Sequence, residues 1–178
     1  MKLKYLLTTL LCALLVLPAE AASRQEIDAK ATEALQRFYQ HSSAGKELAQ
    51  RAAGVLIFPE VYKAGIGIGG EYGEGALRVA GTTVDYYSTA AASIGFQLGA
   101  QIKSQIILFM TPEALNRFRQ SDGWEAGVDG SVAIADMGVG GTIDSNTLQA
   151  PIIGFIFSNK GLMYNLTLEG SKFTRMNK

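Results

Sequence analysis

Apolar positions change their period twice along this chain. From Tyr5 to Leu17 they run almost unbroken, between Ile27 and Phe38 they recur every three or four residues, and from Val55 onward they alternate with glycine or polar residues. Ser23 with Glu26 three residues later is a capping box, which predicts a helix starting near Arg24. Ile27, Ala31, Leu35 and Phe38 share one face of that helix, while Glu26 with Lys30 and Glu33 with Arg37 pair at helical spacing on the rest. It should end near His41-Ser42-Ser43. A second short helix, Lys46 to Ala53, stops at Gly54.

Beyond Gly54 the period is two. Val55-Leu56-Ile57-Phe58 reads as a strand closed by Pro59. Glycine then occupies positions 65, 67, 69, 73 and 75, with Ile66, Ile68 and Tyr72 on the other face. Such a strand lacks side chains on one face because another backbone or a tight bend approaches it. Ala76 to Val84 carries a further strand with Gly81 at its turn, Ile94 to Ile102 alternates regularly, and Ile106 to Met110 continues as a buried strand. Thr111 as cap and Pro112 in the first turn open a helix that runs to Gln120. Trp124, Ala126, Val128, Val132 and Ile134 resume the two-residue period, and Ile152–Phe157 with Leu162–Leu168 forms a hairpin through Ser158-Asn159-Lys160-Gly161. The expected class is α+β: N-terminal amphipathic helices, then a mostly antiparallel, glycine-rich twisted sheet with one inserted helix.

The first apolar run is an address. Lys2 and Lys4 precede it, Pro18 breaks it, and Ala19-Glu20-Ala21 offers small residues at the two positions a signal peptidase reads. It is too short for a membrane anchor, which needs about 20 apolar residues. Residues 1–21 are therefore expected to be a secretory signal peptide and 22–178 a single mature domain. Cys12 lies inside the apolar run after Leu11, so lipidation there is not expected, and the mature chain has no cysteine and no disulfide. With 16 basic and 16 acidic residues the chain lacks the cationic excess of a nucleic-acid binder. At 48% hydrophobic and 18% charged it is a folding sequence.

Catalytic motifs are weak. Gly65-Ile66-Gly67-Ile68-Gly69-Gly70 matches GxGxxG, with Asp85 following 20 residues after Gly65, but Glu71-Tyr72-Gly73-Glu74-Gly75 is a poor helix start and a dinucleotide site needs a helix there. His41, the one histidine, sits among serines at a helix end, where a capping or solvent-facing role fits best; without a mature cysteine it cannot assemble a typical zinc site. Asp122, Asp129, Asp136 and Asp144 follow no calcium-loop spacing and read as turn residues. Glu71 and Glu74 are the one pair that could serve acid/base hydrolysis. No catalytic residue, metal or cofactor is expected.

Four blocks in order carry a resemblance: Ala53-Gly54-Val55-Leu56-Ile57-Phe58-Pro59; Lys63-Ala64-Gly65 through Gly75-Ala76-Leu77; Tyr86-Tyr87-Ser88 with Ser93-Ile94-Gly95-Phe96-Gln97-Leu98-Gly99-Ala100-Gln101; and Leu166-Thr167-Leu168-Glu169-Gly170. Together they resemble the SYLF domain family, a lipid-binding or actin-binding module, over roughly Glu33 to Arg175. The resemblance implies a non-enzymatic domain that contacts phospholipid or fatty acid at a membrane surface. Bacterial members carry export signals, which sets actin aside and implies the periplasm, in association with the outer membrane. In some eukaryotic members a basic amphipathic N-terminal helix makes the membrane contact. The corresponding segment here makes Arg24, Lys30, Arg37, Phe38 and Tyr39 the candidate lipid-binding residues, by an interfacial helix laying an apolar face among headgroups. Asp28 and Glu33 dilute its cations, which points to ordinary anionic lipid rather than phosphoinositide. The alternatives are an integral outer-membrane β-barrel, suggested by alternating strands behind a signal, and a carboxylate-dependent hydrolase.

Overall fold

The computed structural model describes residues 22–135, 143–158, 161–162 and 168–178. The expected signal peptide and Asp136 lie outside them. Helix α1 spans Arg24–His41, with Ser23 accepting from the Glu26 amide as the capping box requires. Its buried face is Ile27, Ala31, Ala34 and Phe38; Leu35 is only partly covered, because a 4–3–4 spacing centres the stripe one position earlier. Helix α2, Ser43–Arg51, starts three residues before the expected Lys46. Ser42 explains this: its amide donates to the Phe38 carbonyl and ends α1, while its hydroxyl accepts from the Gly45 amide and starts α2.

Two very long strands follow, β1 (Gly54–Val79) and β2 (Thr82–Phe109), paired antiparallel along their lengths. Pro59 does not close β1. The register shifts between Phe58 and Val61, so the missing Pro59 N–H falls at a bulge where no ladder bond is lost, and the Pro59 carbonyl accepts from Ser104 Oγ at 2.7 Å. Ala80 and Gly81 join the strands with φ of 48° and 81°, the two positive values of a type I′ turn.

Helix α3 (Pro112–Gln120) is capped by Thr111 as expected. After it the alternating pattern yields only β3 (Trp124–Glu125) and β4 (Ala133–Ile134). Gly127 at φ 88° and Asp129, which accepts from the Glu125 amide, turn the chain between them and leave Val128 exposed. A short helix α4 (Ser145–Gln149), capped by Asp144, precedes β5 (Ile152–Ser158) and β6 (Gly161–Leu162). The β5–β6 pairing is the expected hairpin; residues 163–167 of its second strand lie outside the described residues. The chain closes with β7 (Lys172–Met176).

The described strands form one seven-stranded sheet. Strand β2 holds it together: β1 lies along one side, and on the other β7 pairs with Tyr86–Ala90 while β5 pairs with Ser104–Phe109. Only β4 against β5 is parallel among the named strands. The class is α+β, with helices before a mostly antiparallel curled sheet.

Alternation sorts the apolar side chains into two cores. Leu56, Phe58, Ile107, Phe109, Ile156 and Phe173 face inward with α3, where Phe118 packs 4.7 Å from Phe109 and 5.8 Å from Trp124 between ring centroids. Ile57, Ile106, Leu108, Ile153, Phe155 and Phe157 face outward and are roofed by α1 and α2. Burial of each such side chain stabilises the fold by roughly 1.5–3 kcal/mol. Over these residues the outward face meets protein, where a membrane barrel would present a lipid-facing band.

The ribbon of β1 and β2 also folds back on itself. A Cβ on Gly75 would lie 2.3 Å from the Ile57 carbonyl oxygen, one on Gly73 2.6 Å from that of Glu60, and one on Gly65 2.3 Å from Gly69 Cα. These glycines permit the approach of backbone to backbone that the odd-position pattern implied. Gly75→Ala should therefore cost at least about 2 kcal/mol in urea unfolding, because the carbonyl it meets cannot rotate away. By contrast, Ala80→Asn should raise stability by about 0.5–1 kcal/mol, since asparagine tolerates the left-handed backbone that alanine resists.

Candidate functional site

Helix α1 reaches the sheet through more than its apolar stripe. The Asp28 carboxylate accepts from Thr83 Oγ1 at 2.7 Å and from the Tyr86 hydroxyl at 2.8 Å, and its carbonyl accepts from Arg78 Nη2 at 3.0 Å. Read in sequence as a dilution of positive charge, Asp28 is the clamp that seats the helix on the hairpin.

The five candidate residues fare differently on this seated helix. Phe38 is fully buried, edge-on to Phe155 with centroids 4.7 Å apart, so it is a core residue with no surface to offer lipid. This corrects its place in the apolar contact face: that face points at the sheet. Lys30 Nζ bridges Glu26 and Glu60, both at 3.0 Å. Arg37 pairs with Glu33 at 2.8 Å, while its Nε is buried without a hydrogen-bond partner. The Arg24 guanidinium stands 6.0 Å from the Tyr86 ring, and Tyr39 is half-buried with Lys46 Nζ 5.9 Å from its ring. Most of the helix's charge is thus engaged within the molecule.

Hydrogen bonds that Lys30 donates to Glu26 and then to Glu60 hold it protonated above the usual lysine range. The Lys30 hydrogen bond in turn lowers the Glu60 carboxyl, against the opposing effect of its partial burial.

Glu71 and Glu74 do not form an acid/base pair. Three residues apart on one strand, they point to opposite faces. Glu71 Oε2 lies 2.6 Å from Lys103 Nζ and Oε1 lies 3.4 Å from Lys63 Nζ. Glu74 binds Lys178 Nζ at 2.9 Å and accepts from the Tyr72 hydroxyl at 3.0 Å. Asp129 and Asp144 are turn and cap residues, and no helix begins at the GxGxxG glycines. Among the described residues no group of three metal-ligating side chains is close enough to hold an ion, and no helix is long and apolar enough to cross a membrane.

What the sequence reasoning missed is the end of the folded ribbon. Tyr62, Ile68, Tyr72 and Ile102 are all exposed there, Ile68 at 79%. Tyr62 and Ile102 are cross-strand partners and so share a face. Beside Tyr62 and Tyr72, the start of α1 at Ala22 and Ile27 closes a cleft of about 230 Å³. The signal was in the sequence as isoleucine and tyrosine interleaved with glycine, a composition that builds strand without building core.

An α+β domain with a helix-roofed sheet, engaged carboxylates and an exposed apolar end has the form of a binding module. Residues 90–178 match the model of the Ysc84 family, described as Las17-binding protein actin regulator. The chain belongs to this family, the SYLF domain family that its sequence blocks resemble, whose domains bind lipids and actin. No curated protein matches the chain significantly.

A linkage prediction follows from Glu60. Its carboxyl is lowered on folding from an ordinary value of 4.5, so its contribution to stability is present above that pH and is lost as pH falls through the folded value. Glu60→Gln should therefore be less stable than the parent at pH 7, and the difference should shrink steadily between pH 5 and pH 3. Urea unfolding midpoints across that range check it.

Proposed function

We propose that the protein is a non-enzymatic lipid-binding domain of the bacterial cell envelope, carried across the inner membrane by residues 1–21 and docking on anionic phospholipid or fatty acid in the periplasm. The observation that carries this reading is the exposed apolar end of the ribbon. Tyr62, Ile68 and Tyr72 on β1 and Ile102 on β2 lie toward the glycine-rich end of the ribbon, where Ile68 is 79% exposed and the other three are about half exposed. Tyrosine and isoleucine together suit the boundary between headgroups and acyl chains, where a polar tip stays wet while an apolar body leaves water.

Helix α1 is the second contact. Its Arg24, Lys30, Arg37 and Tyr39 stay partly exposed, and its first turn adjoins Tyr62 and Tyr72 across the cleft. The carboxylates on Lys30 and Arg37 make this the lesser term, since a cation already neutralised within the protein gains little from a lipid phosphate.

Vesicle co-sedimentation separates the two contacts. Ile68→Asp combined with Ile102→Asp should weaken binding at least tenfold while leaving the circular dichroism spectrum unchanged. Charge reversal at Lys30 and Arg37 should weaken binding less than that. Undiminished binding by the Ile68/Ile102 double variant would refute the ribbon-end mechanism, and a larger loss from the α1 reversal would return the contact to the helix.

A further inference from the structure

On the inner face of the same ribbon end, behind the apolar residues, lies a charge cluster that lipid docking has not yet used. Lys63 and Lys103 project from neighbouring strands, and Glu71 reaches them from the returning half of β1. The Lys103 side chain is 6% exposed and that of Glu71 11%, whereas Lys63 retains 24%. Two ammonium groups share one carboxylate, and the sharing is unequal: Lys103 holds it at 2.6 Å and Lys63 at 3.4 Å. Counted over these three side chains, the cluster carries one excess positive charge. Inward of Lys103 on the same face, the fully buried Gln105 has a side-chain oxygen with no hydrogen-bond partner, so that oxygen takes up none of the excess.

A half-buried excess charge is costly unless an anion meets it. The strand geometry says where the anion comes from. Tyr62 precedes Lys63 and Ile102 precedes Lys103, so each strand places an apolar side chain on one face and a cation on the other within one residue step. Docking Tyr62 and Ile102 at the acyl boundary brings both ammonium groups to headgroup depth, where lysine binds phosphate as a point charge and needs no fixed fork of donors.

We propose that Lys63 and Lys103 form the headgroup site of this domain, taking the phosphate of an anionic phospholipid, with Glu71 as the internal anion that competes for the same two cations. This rests on the membrane-docking reading above and adds to it the origin of a preference for negative lipid. In water Glu71 keeps the lysines from being bare; at an anionic surface the phosphate meets Lys63 from its open side.

The test uses phosphatidylcholine vesicles with and without a minority of phosphatidylglycerol, and two variants of opposite expected sign. Lys63→Gln should reduce binding to the phosphatidylglycerol vesicles roughly fivefold, the value of one lysine near an anionic surface, and leave phosphatidylcholine binding unchanged. Glu71→Gln should increase phosphatidylglycerol binding by a similar factor, a gain that misfolding cannot mimic. If the parent binds both vesicles and neither variant alters the phosphatidylglycerol preference, the headgroup site is wrong and the docking reading stands. If the parent binds neither vesicle, both fall.

Discussion

The contact on which the rest depends is backbone against backbone, where Gly73 and Gly75 meet the carbonyls of Glu60 and Ile57 on the same strand. No side chain fits in that space, so the approach exists only because the sequence omits Cβ at those positions. Its consequence is to fold a two-stranded ribbon, which alone would be marginal in water, into a two-layered object with an inside. One half of the ribbon recruits β5 and the other recruits β7, both onto β2. The inner core of Phe58, Phe109, Phe118 and Phe173 exists because those halves are brought together.

Folding back also creates the bend, and the bend has different requirements. Side chains near it are not all buried: Ile68 is 79% and Ile102 55% exposed, and neither joins either core. An ordinary globular protein would make those positions polar. Here they are isoleucine and tyrosine on one face and a lysine–glutamate–lysine cluster on the other. An exposed apolar group of this kind marks an interaction surface, and it is the feature on which the proposed lipid docking rests.

Much of this was legible in the sequence where a local rule decides the outcome. The caps at Ser23 and Thr111, the period change at Gly54 and the glycine face at 65–75 each specify a backbone conformation directly, and each stands in the structure. The misplacements arose where one residue serves two elements or where tertiary contact overrides pattern. Ser42 ends one helix and starts the next, so α2 begins early. Pro59 sits at a bulge, so it interrupts nothing. Strand β7 has a single buried apolar residue, Phe173, and its alternation is invisible without the partner β2 supplies. The candidate site suffered from the same ambiguity: an amphipathic stripe says that a face is buried but not whether protein or lipid buries it, and Phe38 went to protein.

The charges on α1 bear on that ambiguity. Each acidic residue on α1 answers a specific group: Glu26 binds Lys30, Asp28 binds Thr83 and Tyr86, and Glu33 binds Arg37. Glu60 on β1 supplies a second partner to Lys30. A helix designed for anionic lipid would leave its lysines and arginines without internal partners, because each carboxylate within reach subtracts from the attraction to phosphate. At the bend the ratio is reversed, with two lysines to one carboxylate. The helix therefore has the electrostatics of a component sealed onto its own sheet, and this is why the proposed anion contact is assigned to the ribbon end.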